Sequence, residues 1–273
     1  MTSPFKKLMP ALLLALALLL FAPLFRWLAV EWWSNDYYSH GPLIPLVSGF
    51  FGWRILARQP QQRTDWGLGL AGLGIVLYLA ALFQRAYYLA ALAMLLALAG
   101  GVAASWGWAG LKRMRFPLAF LIFMIPFPFV EASSLPLSLF TGQISTKLMR
   151  LAGLNVTVQG AAVTLPGANL VVGAQCSGVR SIITLLALAA IFAYIVQGAS
   201  WRKGMLFLAA IPIAILGNII RVSSLLLVAN RWGADAGFHY YHDYSGFVFF
   251  AIAFALLILF ARMLGCSQIR NDL

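Results

Sequence analysis

Cys176, Arg221 and His242 are the residues of this 273-residue chain whose types could together perform acyl transfer. They stand in GAQCSGVR, GNIIRV and HDYSG, each at or near the end of a membrane-length apolar run. A thiolate adds to a carbonyl carbon, and an imidazole moves the protons that this addition and the departure of an amine require. A guanidinium stabilises the thiolate or the oxyanion of the tetrahedral intermediate. A thiol, a guanidinium and an imidazole at one membrane surface point to a thiol enzyme working through a thioester.

Each residue also has a plainer reading. Buried cysteine commonly behaves as a small hydrophobe. Around Cys176, however, Ser177, Arg180, Ser181 and Thr184 follow at helical spacing and make a polar stripe beside the thiol. A nearby helix N-terminus and Arg180 one turn away both predict a lowered thiol pKa. An arginine in an apolar span either snorkels to the surface or lines a hydrated cavity. Asn218, Arg221 and Ser224 share one helical face, which favours the cavity. His242 has a decoy in His239, and a histidine in an aromatic interfacial belt is often structural. Asp243 is adjacent to His242 and so points elsewhere, which leaves the imidazole without an evident orienting acid.

His40, in YYSHGPLIP, is either a substrate contact or an interfacial residue beside Tyr37 and Tyr38. Cys266 has no partner group and reads as inert. The sequence contains no metal-ligand spacing, and no cofactor is expected.

The elements that position these residues are membrane spans. The chain is 62% hydrophobic and 10% charged, against roughly 25% charged residues in a soluble domain. This predicts an all-α polytopic membrane protein forming a single integral membrane domain over residues 1–273. Eight spans are expected, at about 8–30, 41–57, 67–84, 87–108, 116–130, 178–198, 204–229 and 246–265. The first is too long for the apolar core of a cleaved signal peptide.

The net charge of +12, from 19 Lys and Arg against 7 Asp and Glu, gathers in short loops. That distribution encodes topology and gives no reason to expect nucleic-acid binding. With both termini inside, twelve of the 19 basic residues lie on the cytoplasmic side. Cys176, Arg221 and His242 then converge at the outer face, opposite Cys266, so the two cysteines cannot pair.

One outer-face loop, 131–176, is long. Its first half, SLPLSLFTGQISTKLMRLAGL, places Leu, Phe, Ile and Met at roughly helical spacing and predicts an interfacial helix. NVTVQGAAVTLPGANLVVG follows, with β-branched residues and Gly/Pro punctuation, and reads as one or two short β-hairpins leading to Cys176.

CSGVR at 176–180, NIIRV at 218–222, HDYSG at 242–246 and YSHGPLIP at 38–45 occur in an order that resembles the exosortase/archaeosortase family of membrane cysteine enzymes. The resemblance covers most of the chain, most specifically residues 150–250. It implies Cys176 as nucleophile, His242 as general acid/base and Arg221 as thiolate or oxyanion stabiliser. Arg180, Asn218, Ser177 and His40 are supporting or substrate-binding candidates. It further implies exported protein substrates whose C-terminal sorting tail has a Pro-Glu-Pro type motif, a transmembrane helix and a basic cluster. The tail is cleaved at the outer face of a bacterial inner membrane, with water or an acceptor amine completing the reaction.

Three other readings compete, one of them a different intramembrane hydrolase, whose GxSG or HExxH motif the sequence does not contain. A transporter would use Arg221 and Asn218 as an anion site between helices, but no internal repeat supports it. A non-enzymatic export scaffold would tolerate loss of all three residues.

Overall fold

The computed structural model describes residues 4–166, 168–171, 173, 176–235, 241–266 and 268–270, with the side chains of 4–11, 13, 14, 242 and 243 outside the description. Among the described residues the chain is mostly helical, with eight α-helices and one three-stranded sheet. They form two compact units, Met1–Pro126 and Phe127–Leu273.

The first unit contains α1 (Pro4–Ser34), α2 (Leu43–Leu56), α3 (Asp65–Phe83), α4 (Tyr87–Phe120) and a 3₁₀ turn, Leu121–Met124. Small residues let α3 and α4 approach closely, as membrane helices commonly do. A Cβ on Gly74 or Gly100 would overlap the facing backbone at Ala97 or Ala71.

The second unit contains α5 (Pro128–Leu151), β1 (Thr157–Gln159), β2 (Ala162–Leu165), β3 (Ala168–Val171), α6 (Val179–Ile195), α7 (Ser200–Trp232) and α8 (His242–Met263). Helices α5, α6 and α8 all pack on α7. Leu185, Leu206, Ala210, Ala214 and Leu257 are buried in the core that α6, α7 and α8 share.

Five helical segments, not eight, have the length and hydropathy to cross a membrane among the described residues. They are Ala15–Ser34, Asp65–Phe83, Tyr87–Met124, Ser200–Trp232 and Tyr244–Met263. The expected span 116–130 is not one helix: it is divided among the end of α4, the 3₁₀ turn and the start of α5, whereas the helix that begins at Tyr87 breaks at Gly107. The basic stretch before 116 continues α4, because Lys112, Arg113 and Arg115 take exposed positions while Met114 is buried. Gly107, at φ 64° and ψ −165°, is non-helical and divides α4 into two helical stretches across a kink, close to the expected end of the 87–108 span. The expected spans at 41–57 and 178–198 correspond to helices of 14 and 17 residues, short of the ~20 that a straight crossing needs.

The amphipathic segment is helical, as expected, but α5 begins at Pro128 and its polar face is the inward one. Ser134, Ser138, Thr141, Gly142, Ser145 and Thr146 are buried, while Leu135, Phe140 and Leu148 are exposed. The Ser145 hydroxyl donates to the Ile219 carbonyl of α7 at 3.1 Å.

The expected hairpins form an antiparallel meander in the order β1-β2-β3. Alternation along the strands buries Val163, Leu165 and Leu170 on one face. That face shares a core with Cys176 and with Val222, Leu226 and Ala229 of α7. The sheet therefore packs in the same core as the thiol and delivers the chain to it.

Candidate active site

Beyond β3 the Cys176 N–H donates to the Gly173 carbonyl at 2.9 Å, and Cys176, Ser177 and Gly178 turn the chain into α6. Ser177 Oγ then accepts from the Val179 N–H, at the first residue of α6, at 3.3 Å. Gly178 adopts the left-handed conformation, φ 75° and ψ 2°, that bends the chain into the helix. Ser177 is 2% exposed, so its hydroxyl serves the turn.

Asn218 ties this turn to α7. Its Nδ2 donates to the Cys176 carbonyl at 2.7 Å and lies 3.5 Å from Thr141 Oγ1 on α5. The side chain is 4% exposed, and Oδ1 has no hydrogen-bond partner among the described residues. Arg221 follows one helical turn later on α7.

Cys176 is 3% exposed. Burial pushes its thiol above the ordinary value, and the positive charge of Arg221 opposes that rise without cancelling it. The expected lowering is thus corrected: desolvation outweighs the cation. The cation acting on the thiol is Arg221, whereas Arg180 is exposed on the first turn of α6.

Two hydrogen bonds bracket the start of α8. Tyr241 Oη donates to Ser224 Oγ at 2.7 Å, and Ser224 Oγ donates to the Arg221 carbonyl at 2.8 Å. Arg221 Nε donates to Ser245 Oγ at 3.4 Å, the long end of hydrogen bonding. His242, the first residue of α8, stands between Tyr241 and Ser245 in sequence. Its side chain lies outside the described residues, as does the whole of His239.

Ser181, Asn218, Arg221, Gly246, Phe249 and Phe250 line a small open cleft among α6, α7 and α8, with room for about one water molecule (about 10 Å³). The unit therefore brings Cys176, Asn218 and Arg221 together and holds the backbone that carries His242 beside them. His40 belongs to the first unit, where its ring stacks on Tyr38 with centroids 6.2 Å apart. Cys266 is a buried free thiol, and the position a Cβ would take on Gly198 lies 2.9 Å from its Sγ. Among the described residues no group of three His, Cys, Asp and Glu side chains could hold a metal ion.

Sequence reasoning missed Tyr241, Ser245, Thr141 and Ser145. Ser245 was within reach, because it lies three residues after His242 and on the same helical face. The α5 hydroxyls were obscured by the apolar face beside them, which drew the eye to an interface.

The guanidinium of Arg221 lines the cleft, and its charge acts on the buried Cys176 thiol. No curated protein and no solved structure matches the chain. A family model described as transmembrane exosortase does match, over residues 32–259. That match takes in all four motifs and most of the sequence, and the chain belongs to the transmembrane exosortase family of membrane proteins.

Proposed function

We propose that this protein is a membrane cysteine enzyme that cleaves the C-terminal sorting tail of exported proteins through a thioester on Cys176. The support is the meeting of Cys176 and Arg221 in one buried site, with Asn218 hydrogen-bonded to the Cys176 carbonyl at 2.7 Å.

The chemistry follows from the residue types. His242 takes the Cys176 proton as sulfur adds to the scissile carbonyl, and Arg221 stabilises the oxyanion. The tetrahedral intermediate collapses with breakage of the C–N bond, and His242 returns the proton to the leaving amine. The product is a thioester between Cys176 and the new C-terminus of the exported protein. Water or an acceptor amine then attacks that thioester, His242 takes the attacker's proton, and the thiol is restored. Hydrolysis and transpeptidation share every step before this last one.

The substrate tail has a Pro-Glu-Pro type motif, a transmembrane helix and a basic cluster. Its own helix holds the motif at the outer face of a bacterial inner membrane. The enzyme sits there with both termini in the cytoplasm and its site toward the periplasm. Arg180, exposed at the mouth of α6, meets the acidic residue of the motif.

The test is the mass of an exported reporter carrying such a tail, co-expressed with the enzyme. Shortening by wild type and not by Cys176→Ala supports the reading. Equal shortening by both overturns it. Added mass on the new C-terminus identifies the acceptor.

A further inference from the structure

Among the described hydrogen bonds, the one from Asn218 is what joins the Cys176 turn to another helix. The Cys176–Gly173 bond and the Ser177–Val179 bond are local to the turn. The Asn218 Nδ2 bond to the Cys176 carbonyl, at 2.7 Å, crosses from α7. Arg221 is on the same face of α7 one turn on, so fixing the Cys176 carbonyl to residue 218 also fixes the thiol relative to residue 221.

Gly178 shows how closely the two pieces fit. A Cβ at Gly178 would lie 2.7 Å from Asn218 Cγ and 2.8 Å from its Nδ2, and the φ of 75° disfavours any L side chain there. The turn presses directly on the Asn218 amide. Thr141 and Ser145 of α5 back the same stretch of α7 from the other side, through contacts to Asn218 and to the Ile219 carbonyl.

We propose that Asn218 is a positioning residue whose amide clamps the Cys176 turn onto α7, holding the thiol in its buried place beside Arg221. The consequence for catalysis rests on Cys176 being the nucleophile. The clamp itself does not, and it can be measured without any substrate. Releasing the clamp frees the turn, uncovers the thiol and separates it from Arg221. Reactivity of Cys176 toward small reagents then rises while turnover falls, a pair of opposite changes that a residue acting only on substrate would not produce.

The experiment uses full-length protein in its native membrane and a membrane-permeant maleimide, with labelling of each cysteine read by peptide mass. Cys266, buried in the same unit, is an internal control for unfolding. Asn218→Ala and Asn218→Asp should each label Cys176 at least tenfold faster than wild type while Cys266 stays protected. Asp keeps the side-chain volume under Gly178 but removes the N–H donor, so it carries the test if Ala also exposes Cys266. Tail processing should fall at least tenfold in kcat in both variants. Unchanged Cys176 labelling in both variants overturns the clamp, even if processing is lost. Faster labelling in an enzyme whose wild type never processes a tail keeps the clamp and removes the proposed function instead.

Discussion

Tyr241 Oη donates a 2.7 Å hydrogen bond to Ser224 Oγ, and this pins the residue just before His242 to α7 one turn beyond Arg221. The bond fixes where α8 begins relative to the guanidinium. Tyr241→Phe keeps the ring and deletes the donor. A single hydrogen bond contributes about 0.5–1.5 kcal/mol net, so kcat should fall roughly two- to tenfold. KM should stay within about twofold, and steady-state kinetics on a tail peptide reads both. Ser245→Ala should behave alike, and the double variant should cost less than the sum because both bonds hold the same helix start.

Arg221 is expected to resist conservative replacement. Lysine keeps the charge but lacks the Nε that donates to Ser245 at 3.4 Å, and it has no planar fork to hold an oxyanion. Arg221→Lys should lose most activity, and Arg221→Ala should lose about 10²–10³ in kcat, as when an oxyanion-hole donor is removed. Retention of more than half of wild-type kcat by the lysine variant would remove the oxyanion role.

The apolar, mostly helical character, the helix over 131–151 and the short strands before Cys176 were legible in the sequence, because hydropathy, residue spacing and turn residues carry them. Three features were not. A hydropathy window reads Lys112, Arg113 and Arg115 as a loop, although a helix tolerates them on its exposed side and α4 runs on. The α5 segment reads as a surface helix from its leucines, yet packing against α7 is made by its small hydroxyl residues, which the hydropathy of a single face does not rank. The direction of the Cys176 pKa shift depends on how deeply the turn is buried, and spacing along a chain does not encode depth.

The thiol carries a pH signature. Its folded-state pKa is raised by burial, so between the ordinary thiol value and the folded value the unfolded chain binds fewer protons than the folded one. The corresponding stability is present below the ordinary thiol value and is lost as pH rises through the folded value. Cys176→Ala should flatten this alkaline decline in thermal melts of the detergent-solubilised protein. Removing the opposing cation acts further in the same direction, so Arg221→Gln should slow maleimide labelling of Cys176 at neutral pH. Faster labelling in Arg221→Gln with Cys266 still protected would contradict the electrostatic pairing.

Gly178→Ala tests the close fit of the turn against α7. The new Cβ would sit 2.7 Å from Asn218 Cγ at a φ of 75°. A non-glycine residue held in such a conformation costs on the order of 1–3 kcal/mol, and the melting temperature should fall accordingly. Combining Gly178→Ala with Asn218→Ala should cost less than the sum, because the second change relieves part of the overlap. Strict additivity would mean that the two side chains do not compete for the same space.

Exposed Arg180 is assigned to the acidic residue of the tail motif, and exposed groups act mainly on encounter and ground-state binding. Arg180→Glu should raise KM about tenfold, with kcat within about twofold. A tail with its motif glutamate changed to lysine should recover part of the loss. Unchanged KM would detach Arg180 from substrate recognition.

The central claim is a covalent bond between Cys176 and the exported protein. Wild-type enzyme mixed with a tail-bearing substrate and quenched in acid should yield a Cys176 peptide whose added mass equals the substrate up to its cleavage point. Neutral hydroxylamine should release that mass. Turnover without any such adduct, together with equal turnover by Cys176→Ala, would contradict the account.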